Sequence, residues 1–161
     1  VIPALVIGFG NTLRGDDGAG ILAAEQLAAR LPDLAVDTMQ GLQPELAERL
    51  RGFGRVVFLD ASLRNPHLAF SLLGGSPRRT RPGSHSLSPA EIMDLCFSLY
   101  ERRPEEAMLV EIPAYECGIG TAITEPTRSA ITACVEAVAR ILCNDQAFSA
   151  TLPSNPVEPA A

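Results

Sequence analysis

Short unbroken apolar runs alternate along this chain with stretches whose apolar residues recur every three or four positions. The first pattern marks strands buried on both faces, the second marks helices with one inward face. Residues 3–9 (PALVIGF) form such a run and predict a buried parallel strand. A turn-rich segment, GNTLRGDDGAG, follows; then Ile21, Ala24, Leu27, Ala28 and Leu31 fall at helical spacing until Pro32 ends the helix. Residues 34–39 predict a second strand. Pro44 stands at a first helical turn, and ELAERL carries that helix to the stop signals Gly52 and Gly54. Residues 55–60 (RVVFLD) predict a third strand ending in an aspartate, and residues 68–73 a fourth.

Ser88-Pro89-Ala90-Glu91 has the form of a capping box with proline at the first helical position. The helix it opens carries Ile92, Leu95, Cys96 and Leu99 on one face. Residues 107–113 predict a fifth strand. A last helix starts near Thr124, with Ile131, Cys134, Val135, Val138, Ile141 and Leu142 as its apolar stripe. Residues 145–161, rich in Pro, Ala and Ser, are expected to form a disordered tail, which leaves one domain over residues 1–144. Strands alternating with helices predict a single-domain α/β fold: a mostly parallel, five-stranded twisted sheet with helices on both faces. In such sheets ligands bind beyond the carboxyl ends of the strands, where strand order reverses.

Composition narrows the function classes. A chain of 161 residues buries a core without metal or disulfide staples. Trp is absent, so the core falls to Ala, Leu, Ile and Val. A net charge of -6 argues against nucleic acid, whose phosphates demand a basic footprint. Cys96, Cys117, Cys134 and Cys143 include no C-x-x-C pair. Cys96 and Cys134 read as small buried hydrophobes, and Cys117 lies in a loop. No apolar run has the length of a membrane span, and no signal peptide is seen, so the cytoplasm is the expected compartment. H-E-x-x-H and G-x-S-x-G are both missing, which removes zincins and the α/β-hydrolase elbow.

Three ionisable residues stand out by position. Asp17 follows the first strand, Asp60 ends the third, and His85 precedes the capped helix. In the common 2-1-3 strand order both aspartates reach one carboxyl edge. Two oxygens and an imidazole suit a borderline divalent metal such as nickel or zinc and leave coordination positions open. Each residue also has a plain reading. Asp16 or Asp17 can cap the next helix, Asp60 can be a solvated strand end, and His85 a surface histidine. Arg78, Arg79 and Arg81 either steer an acidic partner or belong to a solvated loop. Gly8-Phe9-Gly10-Asn11 begins like a dinucleotide fingerprint, but Leu13 occupies the third glycine place. A flavodoxin-like nucleotide binder therefore fits poorly.

The segment GFGNTLRGDDGAG resembles the N-terminal signature of the [NiFe]-hydrogenase maturation endopeptidases: G-x-G-N-x-L, two acids, then G-x-G. The likeness continues through VVFLDAS, SHSLSPAEIMDL and IPAYECGIGTAITEPT and spans residues 4–143. It implies a protease that removes the C-terminal extension of a hydrogenase large-subunit precursor after nickel insertion. By the same resemblance Asp17, Asp60 and His85 are the catalytic and metal-contacting residues, with Gly10, Asn11, Asp16 and Gln43 toward the substrate. No tightly bound cofactor is implied: the substrate brings the nickel, and other divalent metals can occupy the site in vitro. A monomer without nucleic-acid or membrane partners is expected. Where many relatives carry an acid and Gly-Gly-Thr, this chain has Gln40-Gly41-Leu42-Gln43-Pro44-Glu45-Leu46, which resembles the branch serving bidirectional, NAD-linked hydrogenases. A non-catalytic metal escort for the same partner would need the same three side chains.

Overall fold

The computed structural model describes residues 2–74, 86–144 and 146–152. Strands β1 (Ala4–Phe9), β2 (Ala35–Met39), β3 (Arg55–Ser62), β4 (Ala69–Leu72) and β5 (Glu106–Pro113) form one sheet in the order β2-β1-β3-β5-β4. β1 pairs in parallel with β2 and β3, and β3 with β5. The expected 2-1-3 order is therefore present. β4 departs from the parallel pattern and runs antiparallel to β5 at the sheet edge. A parallel neighbour needs a long crossover. The chain between β3 and β4 is too short to hold one, so it turns back in the opposite sense.

Helices α1 (Ala19–Arg30) and α4 (Glu125–Leu142), with the one-turn α5 (Phe148–Thr151), cover one face of the sheet. Helices α2 (Leu46–Leu50) and α3 (Pro89–Tyr100) cover the other. The alternation of strand side chains divides the core accordingly. Val6 and Val57 pack under α1 and α4, whereas Leu5, Ile7, Val56 and Phe58 pack under α2 and α3. The signature glycines set how closely α1 approaches. A Cβ on Gly8 would collide with the Gly20 carbonyl and Ala24, and one on Gly20 with the Leu59 carbonyl. Helix and sheet thus meet at backbone distance.

The capping box is formed in both directions. The Ser88 backbone N–H donates to Oε2 of Glu91 (2.7 Å), and the Glu91 N–H donates to Oγ of Ser88 (3.2 Å). On α3, Met93 joins Ile92 and Cys96 in the core, while Leu99, expected inside, is exposed.

The expected tail begins too early. Phe148 is fully buried in the α1–α4 layer. Buried Arg55 donates from Nε to Oε2 of Glu106 (2.6 Å) and from its terminal nitrogens to the carbonyls of Asn144 (3.2 Å) and Gln146 (2.8 Å). Its guanidinium carbon stands 5.3 Å from the centre of the Phe148 ring, within cation–π range. The Phe148 N–H donates to Oε1 of Glu106 (2.9 Å). One aromatic side chain and two carbonyl acceptors are enough to fasten this stretch; residues 145 and 153–161 lie outside the described residues. Among the described residues no helix is long and apolar enough to cross a membrane.

Candidate active site at the carboxyl edge

Beyond β1 the chain makes a single 3-10 turn, Gly15–Gly18, that carries Asp17. The Asn11 N–H donates to Oδ2 of Asp17 (2.9 Å), and Oδ1 of Asn11 accepts from the Leu13 N–H (2.9 Å). Gly10, at φ +142°, passes so close to the Asp17 carbonyl that a Cβ would collide with it. Only glycine adopts that backbone without strain. Asp60 lies on β3, in register with Glu111 on β5. Asp17, Asp60 and Glu111 line one cleft of about 490 Å³, together with Arg14, Arg64 and Cys117. The two aspartates singled out by sequence therefore share a wall.

The cleft holds its charge at some cost. Asp60 is pushed up to about 7, chiefly by burial; a hydrogen bond from the Ala61 N–H opposes the shift, and the Asp17 and Glu111 charges add to it. Burial also raises the Cys117 thiol, helped by Asp17 and Asp16 and opposed by Arg14. Nε of Arg14 donates to the Cys117 carbonyl (3.1 Å), and the Asn65 amide donates to Oε2 of Glu111 (3.2 Å). Because the fold prefers neutral Asp60, stability is lost as pH rises from the unfolded value near 4 through 7. Asp60→Asn is accordingly expected to stabilise the protein at pH 8 by roughly 2–4 kcal/mol and far less at pH 4. Urea unfolding at the two pH values checks this; equal gains at both would mean that Asp60 is well hydrated.

The four residues expected toward the substrate lie in three different places. Asp16 is fully buried, with every direction taken. Its Oδ2 accepts from the N–H groups of Tyr115 (2.9 Å) and Glu116 (3.0 Å) and from the Thr124 hydroxyl (2.8 Å), and its Oδ1 accepts from the Thr124 N–H (2.7 Å). These donors hold its carboxyl down at about 2 against the opposing effect of burial, the largest single influence. Asp16 therefore clasps the loop after β5 and the start of α4 to the loop after β1. Gly10 and Asn11 border a separate shallow hollow beside Met39 and Gln40. Gln43 is exposed on the turn before α2, where its carbonyl accepts from the Leu46 N–H (3.1 Å), and it does not line the cleft.

His85 and the arginines at 78, 79 and 81 lie outside the described residues. The described chain resumes at Ser86, and Leu87 bridges to Leu42 at the same edge of the sheet. Among the described residues no three His, Cys, Asp or Glu side chains are arranged to hold a metal ion. Glu111 was missed by sequence reasoning. The available signal was a single acid inside the buried run AMLVEIP.

A phosphate ligand suits this edge badly. Asp16 and Asp17 directly precede α1, where an anion would need to sit, and Asp37 is engaged by Nε of Arg49 (2.9 Å).

No protein-family model matches the chain, and no curated protein sequence does. Solved structures do resemble it. The [NiFe] hydrogenase maturation protease HybD from Thermococcus kodakarensis is 22% identical at a TM-score of 0.65, covering 89% of this chain and 100% of that one. HycI, a [NiFe] hydrogenase maturation protease from Thermococcus kodakarensis KOD1, is 22% identical at 0.68, covering 89% and 94%. The hydrogenase maturating endopeptidase HybD from E. coli is 19% identical at 0.66, covering 88% and 93%. At these identities the likeness establishes the fold.

Proposed function

We propose that this chain is an endopeptidase that removes the C-terminal extension of a [NiFe]-hydrogenase large-subunit precursor once nickel has been inserted. The observation that carries the reading is the meeting of Asp17 and Asp60 in one cleft at the carboxyl edge of the sheet. The fold shared with hydrogenase maturation proteases and the GFGNTLRGDDGAG signature support it. The segment Gln40–Leu46 favours a precursor of the bidirectional, NAD-linked type. The enzyme is read as a cytoplasmic monomer with no tightly held metal of its own.

Nickel is the substrate's cargo in this scheme. In this reading Asp17 and Asp60 contribute two oxygen contacts and His85 one imidazole nitrogen. A dication offsets both the burial, which is the main cause of the rise at Asp60, and the smaller repulsion from Asp17 and Glu111. Precursor without nickel offers no such compensation and leaves the acids facing one another. The check on metal insertion is therefore electrostatic. For hydrolysis, an aspartate accepts a proton as water oxygen adds to the scissile carbonyl, then returns it to the departing amine. The products are the mature subunit and one short peptide.

The test is a mass measurement on the large subunit after incubation with purified protein, with and without nickel in the precursor. Loss of one C-terminal peptide from the nickel-loaded form alone is expected. Stable association without any loss of mass would replace the protease with a metal escort.

A further inference from the structure

The acidic cleft is bordered by an unusual share of the exposed apolar surface. Among the described residues the large hydrophobic side chains left in solvent are Ile2, Leu13, Leu63, Leu72, Phe97, Leu99, Tyr115 and Ile119. Four of them belong to the three loops that build the cleft: Leu13 (72% exposed), Leu63 (67%), Tyr115 (51%) and Ile119 (85%). Leu63 lines the cleft itself. Leu13 precedes the lining residue Arg14 and itself lines the adjoining hollow of Gly10 and Asn11, Tyr115 follows Ala114, and Ile119 stands two places after Cys117. Scattered single apolar residues carry no message, but clustering around a charged depression does.

The three loops are held in place before any partner arrives. The Leu13 carbonyl accepts from the Gly120 N–H (2.8 Å), which joins the loops of Leu13 and Ile119. The Tyr115 N–H ends on the Asp16 carboxylate (2.9 Å), and the Tyr115 hydroxyl reaches the Pro66 carbonyl (3.5 Å) in the loop of Leu63. An interface built on ordered loops loses little conformational freedom on docking.

We infer that Leu13, Leu63, Tyr115 and Ile119 form an apolar collar that docks one kind of partner, a folded protein presenting apolar side chains around a cation-bearing segment. This rests on the function proposed above and adds the surface by which the precursor is held. Charge selects the occupant: three carboxylates, of Asp17, Asp60 and Glu111, line the cleft against two guanidiniums, of Arg14 and Arg64, and the three acids favour a cationic centre. Ion pairs left open to water give little affinity by themselves. The collar supplies the apolar contact and, once covered, excludes the water that would weaken the carboxylate–cation attraction.

The experiment measures binding of nickel-loaded large-subunit precursor to wild type, to Leu13→Ser with Ile119→Ser, and to a control, Phe97→Ser with Leu99→Ser on α3. Melting temperatures check folding in each. Weakening of roughly tenfold or more per collar side chain is expected, with the control unchanged. Should both variants weaken binding equally, or neither do so while wild type binds, the collar is overturned and the protease reading stands. Absence of binding by wild type overturns both.

Discussion

Asp17→Asn is expected to abolish trimming of the nickel-loaded precursor, with kcat/KM falling on the order of 10³-fold, while the protein stays folded. The loop depends on Oδ2 of Asp17 accepting the Asn11 N–H, and an asparagine side-chain oxygen can accept that bond equally well. The change therefore removes charge and basicity while preserving shape. One further sign accompanies it. Asp60 loses one of the two negative charges that raise it, so its carboxyl should titrate lower, though still above the ordinary range because burial is the larger cause. Mass analysis of the large subunit reads the first effect, and carboxyl-carbon NMR titration the second. Trimming at the wild-type rate would remove Asp17 from the chemistry.

The neighbouring acid should behave in the opposite way: Asp16→Ala is expected to cost stability first. It strands three backbone N–H groups and one hydroxyl around a fully buried site. Unsatisfied buried donors of this kind cost about 1–3 kcal/mol each, and local rearrangement recovers part, so a loss of roughly 3–5 kcal/mol is expected. The pH dependence gives the sign. A carboxyl held at about 2 stabilises the fold fully above its unfolded value near 4, and that contribution disappears as pH falls through 2. The gap between wild type and variant should therefore be full at pH 6 and shrink by about 2 kcal/mol in strong acid. Denaturant midpoints across that range measure it; a constant gap would mean that packing, not charge, is the source.

The contrast between these adjacent aspartates shows how far a sequence can be read. Hydrophobic period placed every strand of the sheet, and Ser88 with Glu91 announced a helix start that the structure forms with both hydrogen bonds. Asp60 was legible because an acid closing an apolar run stands where a parallel sheet offers its binding edge. Glu111 was not, because its place beside Asp60 depends on the register between β3 and β5, which local pattern does not encode. Asp16 reads from sequence as a helix cap or a substrate-side acid because its donors come from about a hundred residues downstream. β4 had the right composition, but a four-residue strand carries no sign of its direction. Phe148 was hidden by its Pro-, Ala- and Ser-rich surroundings, although a lone aromatic in such a stretch is itself a hint of anchoring.

That anchoring bears on how the protein can be handled at the bench. Arg55 opens β3 and Glu106 opens β5, so the seam they make with Phe148 lies at the amino end of the sheet, away from Asp17 and Asp60. An affinity handle attached beyond Leu152 therefore leaves the working edge unobstructed. Trimming the chain back to Leu142 would instead strip the guanidinium of two carbonyl acceptors and open a hole where a phenyl ring had been.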